Sequence, residues 1–391
     1  MILQKNAMRS RSGLGTSATP QVVAAVVLAA AGLTFALGCR GEQPASPTAA
    51  PTPISGAPAG GAAPATGRGE PFASGDYNFV LPLGVQAASA FVRDDNPMSA
   101  KKIDLGRRLY FDPRLSKDGT ISCATCHDPD KGFSDARPTS AGIHGKTGAR
   151  NSPTVINRLF SADQFWDGRA ADLEAQALGP VQNPIEMGNT LEGMIGNLKG
   201  IAEYAPRFQE AFGAPGITAE RVAQAIASYE RTVVSGNAPF DRHQAGDATA
   251  MSESAVRGMA IFNDAQKGNC VTCHAGFNFT DESYHNLGVG MDRPKPDLGR
   301  HEVTKADVDL GAFKTPTLRQ IAQTAPYMHD GSETTLRQVI DFYDRGGSPN
   351  QWLSKEIRPL GLTEVDKADL VAFLEALTGE VRGTERPAPL R

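Results

Sequence analysis

Cys123-Ala124-Thr125-Cys126-His127 and Cys270-Val271-Thr272-Cys273-His274 decide how this chain is read. Each is a C-x-x-C-H run, the attachment signature of c-type haem. Two thiols at this spacing bond the haem vinyl groups. The next residue presents an imidazole to the iron from the same short turn. The alternative is a zinc ribbon built from two C-x-x-C pairs. Such a site needs no histidine directly after both pairs, and its pairs usually lie closer together. The two runs stand roughly one domain length apart. The expected fold is all-α, with two covalent c-type haems in two cytochrome c-like domains.

The 391 residues suffice for two domains with their own cores. A net charge of −4 argues against a nucleic-acid partner. Four of the five cysteines attach haem, and the fifth, Cys39, has a different context. Lys5, Arg9 and Arg11 precede an apolar run from Val22 to Leu37, short for a membrane span and suited to a signal-peptide core. The run ends Ala36-Leu37-Gly38-Cys39, which resembles a bacterial lipoprotein cleavage site. The expectation is an exported, periplasmic chain, lipid-anchored through Cys39. An ordinary cleaved signal with an incidental cysteine is the alternative. Residues 40–79, rich in Pro, Ala, Gly and Ser, read as a flexible tether that cannot offset its ordering entropy. The first haem domain is placed at 80–245, the second at 246–382 and a tail at 383–391.

A weak internal repeat supports the two-domain reading. Gly106-Arg107-Arg108-Leu109-Tyr110 precedes the first haem motif, and Gly258-Met259-Ala260-Ile261-Phe262 precedes the second. Both read as helices whose glycine lets a second helix approach closely. Thr218 caps a helix with Val222, Ile226, Tyr229 and Val233 on one face. Thr335 to Tyr343 and the run after Thr363 repeat the pattern, the latter with Leu370, Phe373, Leu374 and Leu377 inward. No segment shows convincing strand alternation.

What occupies the second axial position of each iron separates electron transfer from chemistry. Asn151 to Gly188 holds the candidates. Glu186 follows Pro184 in a loop stiffened by Pro180 and Pro184. A carboxylate held over a haem can take a proton from hydrogen peroxide and return it to the leaving oxygen. Gln176 could position the peroxide or a water. Composition alone would leave Glu186 as a solvated loop residue and Gln176 on a helix surface.

The chain resembles the bacterial di-haem cytochrome c peroxidase/MauG family over roughly residues 90–382. The resemblance rests on Asn151-Ser152-Pro153-Thr154, Phe165-Trp166-Asp167-Gly168-Arg169, Gln176-Ala177 and Asn183-Pro184-Ile185-Glu186-Met187. Glu230-Arg231-Thr232, Lys314-Thr315-Pro316-Thr317-Leu318-Arg319 and Ala325 to Gly331 extend it. It implies that the haem on His127 is peroxidatic, with Glu186 as its acid/base group and Gln176 nearby. It implies that Trp166 lies between the haems on the electron route. It also implies a calcium ion held by Asn151 and the backbone carbonyls of Thr324 and Pro326. His144 is implied as a second ligand to the first iron in the resting enzyme, with a mobile surface histidine as the alternative. On the second haem, carried by His274, Tyr343 stands where typical members place methionine. A phenolate there favours ferric iron and lowers the potential. Met328 is the rival ligand.

The implied function is reduction of hydrogen peroxide to water with electrons from a small redox protein, a cytochrome c or cupredoxin. A MauG-like enzyme, oxidising a protein or other large substrate through high-valent haem, is the second reading. A non-catalytic di-haem electron carrier is the third. Homodimers occur in the family, although the sequence carries no decisive interface signal.

Overall fold

The computed structural model describes residues 69–390. The expected export signal, the expected cleavage site at Cys39 and most of the expected tether lie outside the described residues. Helices α1 (Ala100–Tyr110), α2 (Cys123–Cys126), α3 (Leu173–Gln182), α4 (Leu191–Lys199), α5 (Tyr204–Phe212) and α6 (Ala219–Glu230) come first. Then follow α7 (Pro239–Gln244), α8 (Glu253–Asn263), α9 (His301–Thr304), α10 (Leu336–Asp344) and α11 (Glu364–Glu375). Long loops join them. Among the described residues no helix is long and apolar enough to cross a membrane.

The expected caps are present. Thr218 accepts from the Arg221 amide, Thr335 from Gln338 and Thr363 from Asp366. Each satisfies an amide that the first helical turn leaves unpaired. The inward faces are also as read: Val222, Ile226, Tyr229 and Val233 are buried, as are Leu370, Phe373, Leu374 and Leu377.

Two hydrophobic cores result. The first joins α1, α3 and α6 around Leu105, Leu109, Tyr110, Ile226 and Tyr229. The second joins α8, α10 and α11 around Phe262, Phe279, Leu336, Leu370 and Phe373. Both repeat glycines sit where helices touch. A Cβ at Gly106 would lie 1.8 Å from the Ala225 carbonyl oxygen on α6, and one at Gly258 would lie 1.9 Å from that of Asp369 on α11. Contact this close excludes every side chain larger than hydrogen.

Several expectations need correction. Strands occur: β1 (Pro71–Ser74) pairs antiparallel with β2 (Tyr77–Val80), β3 (Ser235–Gly236) with β6 (Glu380–Val381), and β4 (Tyr284–Asn286) with β5 (Ala312–Lys314). The first hairpin lies inside the stretch assigned to the tether. Its Phe72 and Phe79 are cross-strand partners with ring centroids 5.2 Å apart, packed on Leu81, Val85, Leu159 and Val234. Cross-strand aromatic pairing gives this short segment the apolar contact its composition conceals. Pro180 is not in a loop but in the last turns of α3. Helix α7, assigned to the first domain, packs Phe240 against Phe279 and Phe373 of the second core. The tail at 383–391 is docked in part: Leu390 joins the first core, and Arg386 pairs with Asp128 and Asp130 at 2.5 and 2.7 Å.

Candidate functional site: two cavities with one shared wall

Each C-x-x-C-H run folds as a tight turn that brings its histidine back over the first cysteine. The His127 amide donates to the Cys123 carbonyl at 2.9 Å, and the His274 amide to the Cys270 carbonyl at 2.9 Å. His127 Nδ1 lies 3.3 Å from the Phe133 carbonyl and 3.1 Å from Ser152 Oγ. His274 Nδ1 lies 2.9 Å from the Phe279 carbonyl. A carbonyl at Nδ1 fixes the ring and the tautomer, turning Nε2 into the metal-binding atom. Burial lowers the pKa of both imidazoles, keeping them neutral as ligation requires. Burial also pushes the Cys126 thiol up to about 11 and that of Cys270 up to about 12. A thioether carries no such ionisation, so covalent attachment suits these buried sulfurs. The donors fit c-type haem at both positions.

The first cavity is the more polar of the two and carries His127, Gln176, Asn183, Glu186 and Trp166 on its walls. Gln176 comes from α3, which Asp172 caps by accepting from the Ala175 amide. Glu186 sits in the turn after α3, where Asn183 Nδ2 donates to its Oε1 at 2.7 Å. Burial raises the Glu186 pKa, opposed by the charge of Arg169 and by the Asn183 hydrogen bond. Among the described residues, no methionine, tyrosine or second histidine lines this cavity.

His274, Tyr343 and Met328 line the second cavity, among mostly apolar residues of α8, α10 and α11. Burial raises the Tyr343 pKa, and the Cys273 and Cys270 thiols add to the rise. Met328 lies in the Tyr327–Glu333 turn with a left-handed backbone, φ 69°.

Trp166 lines both cavities. Its Nε1 donates to the Asn151 carbonyl at 2.9 Å, and its own carbonyl accepts from the Lys314 amide at 2.8 Å. Asn151, Thr324 and Pro326 all border the second cavity. Asn151 Nδ2 donates to the Arg137 carbonyl at 2.8 Å, and its amide donates to the His329 carbonyl at 2.7 Å.

His144 stands apart from these groups. Its side chain is 64% exposed, 3.6 Å from Asp118, and it is not on the wall of the first cavity. Its left-handed backbone, φ 57°, turns it toward solvent. Sequence reading also passed over Asn183 as the partner of Glu186, and over Arg169, whose guanidinium lies 3.5 Å from the Phe165 ring centre. Both sat inside quoted motifs, but no spacing rule assigns them a partner.

The comparisons define the class. Residues 100–249 match the family model described as di-haem cytochrome c peroxidase. A methylamine utilization protein MauG from Methylophilus methylotrophus is 43% identical over 294 residues, 75% of this chain and 87% of that protein. A cytochrome c551 peroxidase from Nitrosomonas europaea is 38% identical, covering 77% of this chain and 90% of that one. The crystal structure of a MauG-like protein associated with microbial copper homeostasis superposes with a TM-score of 0.72. It is 33% identical, over 78% of this chain and 96% of that one. The mostly helical fold is that of this di-haem peroxidase group. The chain belongs to the di-haem cytochrome c peroxidase/MauG family. It is an oxidoreductase whose family membership implies two c-type haems.

Proposed function

We propose that this enzyme reduces hydrogen peroxide to water at the first cavity, using electrons accepted at the second from a small exported redox protein. The carrying observation is the asymmetry of the cavities. The second offers Tyr343 and Met328 besides His274, whereas the first offers His127 faced by a carboxyl and an amide. Bound haem would supply the iron redox chemistry at both positions. With haem bound, Glu186 would accept a proton from hydrogen peroxide and return it to the oxygen that leaves as water. Gln176 orients the peroxide, and Asn183 holds Glu186 in place. Trp166, common to both walls, carries the electron path. Calcium at Asn151 suits this geometry, because no hydrogen bond among the described residues goes to the Thr324 or Pro326 carbonyl. His144 can ligate the first iron only after its loop turns inward.

Tyr343 is proposed as the second ligand of the second iron, and it favours a MauG-like capacity to oxidise a large substrate. Replacing Tyr343 by Phe removes a hard anionic donor, so that haem's potential rises and its ferric spectrum changes. Potentiometry with optical detection reads both. An unchanged potential and spectrum would transfer the role to Met328.

The overall function is tested by mixing the protein with a reduced cytochrome c or cupredoxin and adding peroxide. The expected result is donor oxidation that depends on peroxide, with two donors consumed per peroxide. A carrier without catalysis would exchange electrons with the donor and show no peroxide dependence.

A further inference from the structure

Among the described residues, most large cations drawn into the interior are matched by carboxylates, and Lys102 is held by the Asn96 side-chain oxygen and the Pro97 carbonyl. Arg231 is held by Glu174 at 2.7 and 2.9 Å, and Arg319 by Asp241 at 2.7 Å. Arg150 is held by Asp167 and Asp297 at 2.6 and 2.7 Å, and Lys314 by Glu282 at 2.5 Å. Among the described residues, no hydrogen bond or ion pair reaches the Arg158 guanidinium, and its Nε is buried without a partner. The nearest carboxyls, Glu282 and Glu230, act on it only through charge, and Glu282 is already taken by Lys314 and Ser161. Burial lowers the Arg158 pKa, as expected of a cation with no partner of its own.

Arg158 also has a particular place. Its side chain lines the first cavity and the second. Its backbone is fixed by the preceding Asn157, left-handed at φ 62°, whose side chain bonds Ser235 and Asn278. Arg158 therefore belongs, like Trp166, to the wall common to both spaces, and its guanidinium has no hydrogen-bond partner among the described residues.

We propose that Arg158 is a shared anion clamp, binding a haem propionate from each cavity and thereby coupling the two iron potentials. This rests on the two-haem reading. Haem carries carboxylates on its propionate arms, and a guanidinium fork presents five donors suited to carboxylates. A cation common to both propionates neutralises charge near both irons and favours the ferrous form of each. Lys314 borders the same spaces, but its charge is already satisfied by Glu282.

The experiment compares Arg158→Gln and Arg158→Lys with the unaltered protein. Mass measurement counts covalent haem, and potentiometry reads each iron separately. With two haems attached, Arg158→Gln should shift the ferric/ferrous equilibrium of both irons at least tenfold toward ferric, about 59 mV for a one-electron couple. Arg158→Lys should shift both less, in the same direction. Two attached haems with unchanged potentials in Arg158→Gln would overturn the clamp and leave the haem reading standing. Unaltered protein without covalent haem would overturn both. If neither variant accumulates, resonance Raman of the unaltered protein decides: propionate bending bands shifted by hydrogen bonding support the clamp, and bands of free propionates overturn it.

Discussion

Glu186→Gln should retain both haems and the fold while losing peroxide turnover. Glutamine keeps the size of the side chain and can still face Asn183, but it cannot carry a proton between peroxide oxygens. Losing one positioned acid/base group typically costs on the order of a hundred-fold to ten-thousand-fold in rate. The measurement is stopped-flow reaction of reduced protein with peroxide, with haem content and second-haem spectra taken on the same preparations. Burial raises the Glu186 pKa. Its basic form is the one that accepts the peroxide proton. Turnover should therefore rise with pH through a value above the ordinary carboxylate range, and this limb should vanish in the glutamine variant. Near-normal turnover with an intact second haem would remove Glu186 from the mechanism.

The second large effect concerns stability. Gly258→Ala places a methyl 1.9 Å from the Asp369 carbonyl oxygen and 2.9 Å from Phe373 Cβ, so α8 and α11 must separate. Overpacking of a tight contact typically costs about 1–3 kcal/mol, occasionally more. The same substitution at Gly196 in α4 meets nothing within 4 Å. There alanine should stabilise by roughly 0.5–1 kcal/mol, because helical glycine gives up more backbone freedom on folding. Denaturant midpoints of the two variants should move in opposite directions. A Gly258→Ala midpoint equal to that of the parent would mean that the helices part without cost.

The parts of this molecule that sequence reveals are those in which chemistry or geometry is local. A C-x-x-C-H run has its meaning within one turn, and Thr218, Thr335 and Thr363 announce their helices through a bond three residues ahead. The helix-crossing glycines were readable because the residue type itself is the constraint. The resemblance brought Glu186, Gln176 and Trp166 to attention, and the structure puts the first two on one cavity wall and the third on both. Features made by distant partners were not legible. Phe72 and Phe79 pair across a turn within a stretch whose composition looks unstructured. Phe240 follows a first-domain helix yet belongs to the other core. Arg158 looks like any basic loop residue until both cavities are placed around it.

The pairing of Ser235–Gly236 with Glu380–Val381 has a consequence for the order of assembly. Tyr229 Oη donates to the Gly383 carbonyl at 2.7 Å, and Leu390 fills a place in the core of α1 and α6. Every helix of that half is therefore synthesised well before the residues that seal it. A growing chain presents Cys123 and Cys126 on a half that still lacks its closing strand. That half can shut only when the final stretch of chain returns across the whole length of the second half to reach it.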